Sequence, residues 1–277
     1  MNKKLLMIVI LLILSFITGC ASSEASGNKE EQTIKIGVTG GVPEAVTNIV
    51  KDEAKKEGIN LEVITFNDWI TPNRSLDNEE IDLNMFQTKQ FLGQYVKDHT
   101  APFVALGSTY YSSFGIHSEK HKHVDEIPDD ATLGIVNDPI NQWRSLLLYE
   151  EAGLIKVKRT DGLLTLQDIE ANPKNLTFKE IEGPLMVRTL SSIDAGLVSN
   201  SYVIDQGLDP TEEAIYLESG NEFPMVVAAK EKDKDNPDYK RITELYHSDA
   251  VKQFIEERYK DAITLTDDPF QLDEEGM

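Results

Sequence analysis

The stretch TIKIGVTGGVPEAVTNIVKDEAKKEGINLEVITF, residues 33–66, decides the fold class. Residues 33–39 alternate apolar and polar positions, as a half-buried strand does, and run into Gly40-Gly41. Pro43 suits the first turn of a helix; Val46, Ile49, Val50 and Ala54 then recur at helical spacing across 44–57, and Gly58 stops the run. Residues 60–66, NLEVITF, read as a second strand. Two strands joined by one helix over so short a span form a βαβ unit, which predicts a parallel sheet and an α/β fold.

Outward from this unit the alternation continues. Residues 81–85 read as a short strand, 89–97 as a helix, and 103–106 and 114–117 as further strands. A second series opens with a strand at 132–136 and a helix at 141–152, with Trp143, Leu146, Leu147 and Leu148 as apolar positions and Gly153 as its stop. Strands at 178–181, 195–198, 214–217 and 225–229 follow, with a helix opened by Pro184 and one or two amphipathic helices within 239–259. Two such series predict two α/β lobes. The polar run HSEKHKHVDEIPDD, 117–130, is the expected boundary, with a return crossing near 218–223. Lobe I is then 33–117 with 224–277, and lobe II is 118–223. Two lobes joined by two crossovers make a hinge with a cleft that can close on a ligand.

With 27 basic against 48 acidic residues, the formal charge is −21. That balance argues against a nucleic-acid partner, which needs a basic face. No GxxxxGK[ST], GxSxG, HExxH or EF-hand loop is present, so nothing marks an enzyme. Gly37-Val38-Thr39-Gly40-Gly41 lacks the GxGxxG spacing; it is a tight turn before a helix or a helix N-terminus donating amides to an anion. His117, His121 and His123 have a spacing that could ligate zinc, but Lys120 and Lys122 between them would repel a dication. Neither a metal nor a cofactor is expected.

The single cysteine, Cys20, excludes an intramolecular disulfide. Lys3 and Lys4 precede an apolar run at 5–17, which as a helix rises roughly 20 Å, short of the ~30 Å bilayer core. This is the pattern of a secretory leader. The small residues before Cys20 resemble a lipobox, so 1–19 is read as a lipoprotein signal peptide and Cys20 as the acylated mature N-terminus. Two acyl chains anchor stably where one does not. The polar segment 20–32 cannot bury enough apolar surface to fold and is read as a tether.

At FNDWITPN (66–73), DLNMFQ (82–87) and NDPINQWRSLLL (137–148) the chain resembles the NlpA/MetQ family of lipoproteins, and so do EEAGLIKVK (150–158) and DQGLDP (205–210). The resemblance implies the two-lobed periplasmic-binding-protein fold and a lipid-anchored, extracytoplasmic substrate-binding protein that catalyses nothing. It would deliver L-methionine or a related amino acid to an ABC permease. Another small ligand, such as a methionine-containing dipeptide, stays open, with a tethered enzyme as the rival class. An aromatic cage for the thioether is implied at Trp69, Phe86, Thr88 and Phe91, where family members usually carry tyrosine, phenylalanine, histidine and tyrosine. The alternative is that Phe86 and Phe91 are merely core. Asn141 and Arg144 match the family's NxxR grip on the ligand's carboxylate and amine, with Arg144 expected to offer a two-bond fork or, as the alternative, a surface ion pair. Gln142 and Trp143 replace a frequent pair of glycines, so Trp143 is expected to narrow the pocket. The family's Asn-x-Asn corresponds to Ser199-Asn200-Ser201, and a later asparagine falls at about Met225.

Overall fold

The structure is a computed structural model and describes residues 33–220, 222–259 and 262–270. The expected signal peptide, tether and Cys20 lie outside the described residues, as does the end of the acidic tail. The first sheet has six strands in the order β13-β4-β12-β3-β1-β2. These are β1 (Ile34–Thr39), β2 (Leu61–Phe66), β3 (Leu83–Thr88), β4 (Phe103–Tyr111), β12 (Pro224–Lys230) and β13 (Thr264–Leu265). The second has five, in the order β11-β5-β10-β6-β9: β5 (Phe114–His117), β6 (Thr132–Val136), β9 (Thr177–Ile181), β10 (Ala195–Ser199) and β11 (Ala214–Leu217). A small hairpin, β7 (Lys156–Val157) with β8 (Ile169–Ala171), stands apart.

Strand β1 pairs in parallel with both β2 and β3, whereas β12, returning from the second sheet, runs antiparallel to β3 and β4. Helices α1 (Val42–Lys56), α2 (Thr71–Asp77) and α3 (Lys89–His99) connect or follow these strands. One face of the sheet meets α1 and the C-terminal helices α8 (Pro237–Leu245) and α9 (Asp249–Tyr259), through Val46, Ile242 and Ile255 among others. The opposite face is covered through Leu76 and Leu92, from α2 and α3. Covering on both faces is why β3 is buried along its whole length. In the second lobe, β6 leads into α4 (Pro139–Glu151), and α5 (Gly183–Thr189), α6 (Asn200–Asp205) and α7 (Pro210–Glu213) follow later strands. A separate core forms there around Leu133, Leu146, Tyr149, Met186 and Leu197.

The first crossing differs from expectation. Strand β5 pairs antiparallel with β10 and β11, so 114–117 belongs to the second sheet and the chain passes between sheets at Ser112-Ser113. Past His117, which ends β5, the polar run 118–130 is a surface loop of the second lobe, pinned by the buried Ile127. The true crossing is short and uncharged because it is held like a strand: the Ser112 amide donates to the Phe223 carbonyl, 3.2 Å away on the returning segment. None of the described helices is long and apolar enough to cross a bilayer.

Candidate functional site

Between the sheets lies one cavity, built where parallel strands end. Its lining includes Thr39 at the end of β1, Trp69 beyond β2, Phe86, Gln87 and Thr88 in β3 and Phe91 in α3. The facing side supplies Asn141 and Arg144 from α4, Ser199 at the end of β10, and Ser201 and Tyr202 from α6. Crevices at the carboxyl ends of strands are where α/β sheets place ligands. Four helices, α1, α3, α4 and α6, have their N-cap residue at or next to this lining. Their positive ends favour an anionic group there. Gly41, at φ 84, makes the turn into α1 that lets Gly40 and Pro43 border the space.

All seven expected ligand contacts, Trp69, Phe86, Thr88, Phe91, Asn141, Arg144 and Ser199, border this cavity, as do Ser201 and Met225. Their surroundings give each a physical role. Asp68 accepts from the Ile70 and Thr71 amides at 2.7 and 2.6 Å, fixing the loop that carries Trp69. The Trp69 ring stacks with Tyr202 at 6.2 Å and its Nε1 donates to the Tyr202 hydroxyl at 3.1 Å, across the cleft. Burial pushes the Tyr202 phenol up to about 12, so that hydroxyl keeps its proton. Trp69 also lies flat on Gly183, where any Cβ would overlap its ring.

Phe86 and Phe91 meet edge to face at 6.0 Å. Thr88 is the N-cap of α3, and its hydroxyl accepts from the Phe91 amide at 3.3 Å. Behind this wall, Asn73, Asn84 and Gln87 exchange amide hydrogen bonds of 2.8–3.0 Å, which satisfy three buried side chains and fix the start of α3.

On the facing wall, Asp138 caps α4. One oxygen accepts from the Asn141 amide at 2.9 Å and the other from Asn141 Nδ2 at 2.8 Å. Burial raises the Asp138 carboxyl above its ordinary value, and the bonds from Asn141 pull it back. With one Nδ2 proton taken by Asp138, Asn141 has its carbonyl oxygen and a second Nδ2 proton left over. Asp-Pro before the helix is a readable N-cap signal that the helix start assigned to Asn141 passes over.

Arg144 is 2% exposed. Its Nε donates to Glu218 Oε1 at 2.5 Å, its Nη2 to Glu218 Oε2, and Nη2 again to the Ser112 carbonyl at 2.6 Å. It is therefore no surface pair, and its Nε/Nη2 edge already holds a protein carboxylate. Aromatic rings flank the guanidinium: its carbon lies 3.6 Å from the Phe223 ring centre and 4.4 Å from that of Phe114. No local pattern announces Glu218, which stands in an ordinary polar segment far along the chain.

Trp143 does not narrow this cavity. It points away from the lining and packs edge to face on Phe223 at 6.2 Å, because one residue along a helix turns the side chain by about 100° from Arg144. Among the described residues, no three His, Cys, Asp or Glu side chains gather as a metal group. His117 is buried in the second sheet and His121 lies 3.7 Å from Asp194.

Comparison with known proteins matches this architecture. The D-methionine-binding lipoprotein MetQ of Escherichia coli K12 is 37% identical over 241 residues, 85% of this chain and 87% of the relative. A nutrient-binding protein from Burkholderia cenocepacia, solved bound to methionine, superposes with a TM-score of 0.81 at 37% identity, covering 84% of this chain and 99% of its own. A periplasmic substrate-binding protein of an ABC transporter from Coxiella burnetii gives 0.80 at 30% identity, covering 84% and 100%. The fold is the two-lobed α/β fold of periplasmic substrate-binding proteins. The NlpA lipoprotein model matches residues 34–265, from the first strand to the last, and so this chain belongs to the NlpA lipoprotein family.

Proposed function

We propose that this chain is an extracytoplasmic solute-binding lipoprotein, anchored by acylated Cys20, that binds L-methionine or a related amino acid between its lobes and delivers it to an ABC permease without catalysis. The observation that carries this reading is a cavity with two unlike walls. Trp69, Phe86 and Phe91 offer an apolar, polarizable surface of the kind a thioether favours. Arg144 and the positive helix ends favour a carboxylate, and the Asn141 carbonyl is an acceptor for an ammonium group. The pieces spanning 33–111 with 224–270 and 114–217 act as the two lobes, hinged at the two crossings. A different amino acid or a methionine-containing dipeptide is the second reading. It is favoured by Ser199, Ser201 and Met225, which line the cavity where the family usually places asparagine.

A thermal-shift panel of amino acids, dipeptides and sulfur compounds tests both readings. Free ligand at about 100 times its dissociation constant stabilises by roughly 2.7 kcal/mol, enough to read directly. A flat response to methionine with a clear response to a dipeptide or another amino acid would transfer the assignment to the second reading. Turnover of a ligand that a cleft substitution abolishes would make the protein an enzyme. For the anchor, Cys20→Ala should release the protein or leave it as precursor; a variant that still fractionates as mature membrane lipoprotein ends that part of the proposal.

A further inference from the structure

We infer that Glu218 is a positioning residue: from the returning crossover it holds the Arg144 guanidinium so that its Nη1 edge alone is presented to the carboxylate of the bound solute. This rests on the solute-binding reading above and deepens it. An arginine carries five N–H donors in a fixed plane. In Arg144 the Nε proton goes to Glu218 Oε1, and the two Nη2 protons go to Glu218 Oε2 and the Ser112 carbonyl. Phe223 and Phe114 cover the guanidinium. The two Nη1 protons are the donors left over, on a residue that borders the cavity.

The rival role for Glu218 is a stand-in that the solute carboxylate displaces. The geometry opposes it. Glu218 Oε2 also accepts from the Phe114 amide at 3.0 Å, the Glu218 amide donates to the Phe114 carbonyl at 3.0 Å, and the Glu218 side chain is only 10% exposed. Displacement would strand a buried carboxylate, which is costly. The partners of Arg144 also have a common address. Ser112 lies in the first crossing, and Glu218 and Phe223 lie in the return, so all three hydrogen bonds that aim this arginine from α4 come from the hinge, with Phe114 of its own lobe backing them. On this inference the solute carboxylate meets one nitrogen of Arg144, and the Nε/Nη2 fork belongs to Glu218.

The test compares L-methionine with L-methioninamide, which lacks the carboxylate, by calorimetry on the wild type and on Glu218→Gln. The substitution keeps the shape and removes the charge. Positioning predicts that Glu218→Gln loses at least roughly tenfold in affinity for methionine while affinity for the amide moves less than about threefold. Equal losses for both ligands would mean a merely structural role, and tighter methionine binding would mean a displaced competitor; either overturns the inference. Phe223→Leu, which thins the packing without touching the ion pair, should shift the same ratio in the same direction by less, and it serves if Glu218→Gln does not fold. In the ligand-free protein, the Arg144 Nε–H signal in a 15N–1H spectrum, assigned by its loss in Arg144→Lys, should stand apart from the other arginines and merge with them in Glu218→Gln. An unchanged signal refutes positioning. If neither compound binds the wild type, the methionine reading fails by itself, and the Nε–H signal still decides the role of Glu218.

Discussion

The two walls of the cavity are held in different ways. On the second-lobe wall the two residues of α4 are each tied to a half-buried acid: Asn141 to Asp138, Arg144 to Glu218. On the first-lobe wall Trp69, Phe86 and Phe91 are placed by packing and by backbone turns, with single hydrogen bonds at Trp69 Nε1 and at the Thr88 cap. Directional bonds fix a head group within tenths of an ångström, whereas aromatic surfaces tolerate a change of shape at small cost. Under the proposed function, the difference teaches that a polar wall suits the constant part of a solute and an apolar wall its variable part.

The most damaging way to break that comparison is Arg144→Ala. Losing one partner of a desolvated pair costs about 2–5 kcal/mol of affinity, so methionine should bind at least roughly thirtyfold more weakly. The same substitution leaves the half-buried Glu218 without its cation, with the Phe114 amide as its remaining partner, so folding stability should also drop, by about 1–3 kcal/mol. Arg144→Lys should not restore binding, since the three donors on one ammonium nitrogen cannot reproduce the planar set that makes two bonds to Glu218, one to Ser112 and more to a ligand. Calorimetry showing near-wild-type affinity in Arg144→Ala would remove this residue from the site.

A second, smaller effect lies under the polar wall. Burial pushes the His117 imidazole down to about 4, although contacts with Asn200 and the Glu213 backbone pull it back up. The unfolded chain takes up this proton near pH 6.5 and the folded one does not until about pH 4. Stability from this group is therefore fully present above pH 6.5 and is lost as pH falls towards 4, by roughly 3 kcal/mol. In denaturant titrations His117→Gln should flatten that part of the pH profile relative to wild type. Parallel profiles for the two proteins would show that His117 is not held neutral.

How much of this was readable follows from the range of each signal. The unit at 33–66 declares itself because strand alternation, Pro43 and Gly58 act within a few residues. The residues meeting at the cavity were legible through resemblance, since they sit at strand ends that any such fold brings together. The allegiance of β5 was not: an apolar run such as 114–117 reads alike in either sheet, and its partners β10 and β11 lie far along the chain. Glu218 fails for the same reason, being 74 residues from Arg144. Trp143 escapes the sequence reading because a bulky residue in place of a family glycine does not show which way it faces, and one residue along α4 turns it about 100° from Arg144, onto Phe223.

Where the walls touch, Gly183→Ala should sharpen the comparison. A Cβ there overlaps the Trp69 ring, so Trp69 must leave Gly183 and Tyr202 or the lobes must part. Overpacking of this kind costs roughly 1–3 kcal/mol. If the contact forms only on closure, affinity falls by that amount while thermal stability of the ligand-free protein barely moves. A fall in ligand-free stability without a change in affinity would place the contact in the open state as well.

The smallest expected effect separates wall from scaffold within the apolar side. Thr88 borders the cavity, yet its hydroxyl oxygen already accepts from the Phe91 amide at 3.3 Å as the cap of α3. Losing a cap of this type costs about 1 kcal/mol. Thr88→Ala should therefore lower stability by that amount, and affinity should drop only a few-fold, through a looser Phe91. Thr88→Ser keeps the oxygen and loses only a methyl group, so it should restore both quantities. A solute that used the hydroxyl directly would give another pattern, with affinity falling more than stability in Thr88→Ala, because a ligand donor left without its partner in the closed cleft costs more than a frayed helix end. Paired denaturation and calorimetry on the two variants distinguish a side chain that shapes the apolar wall from one that reads the solute.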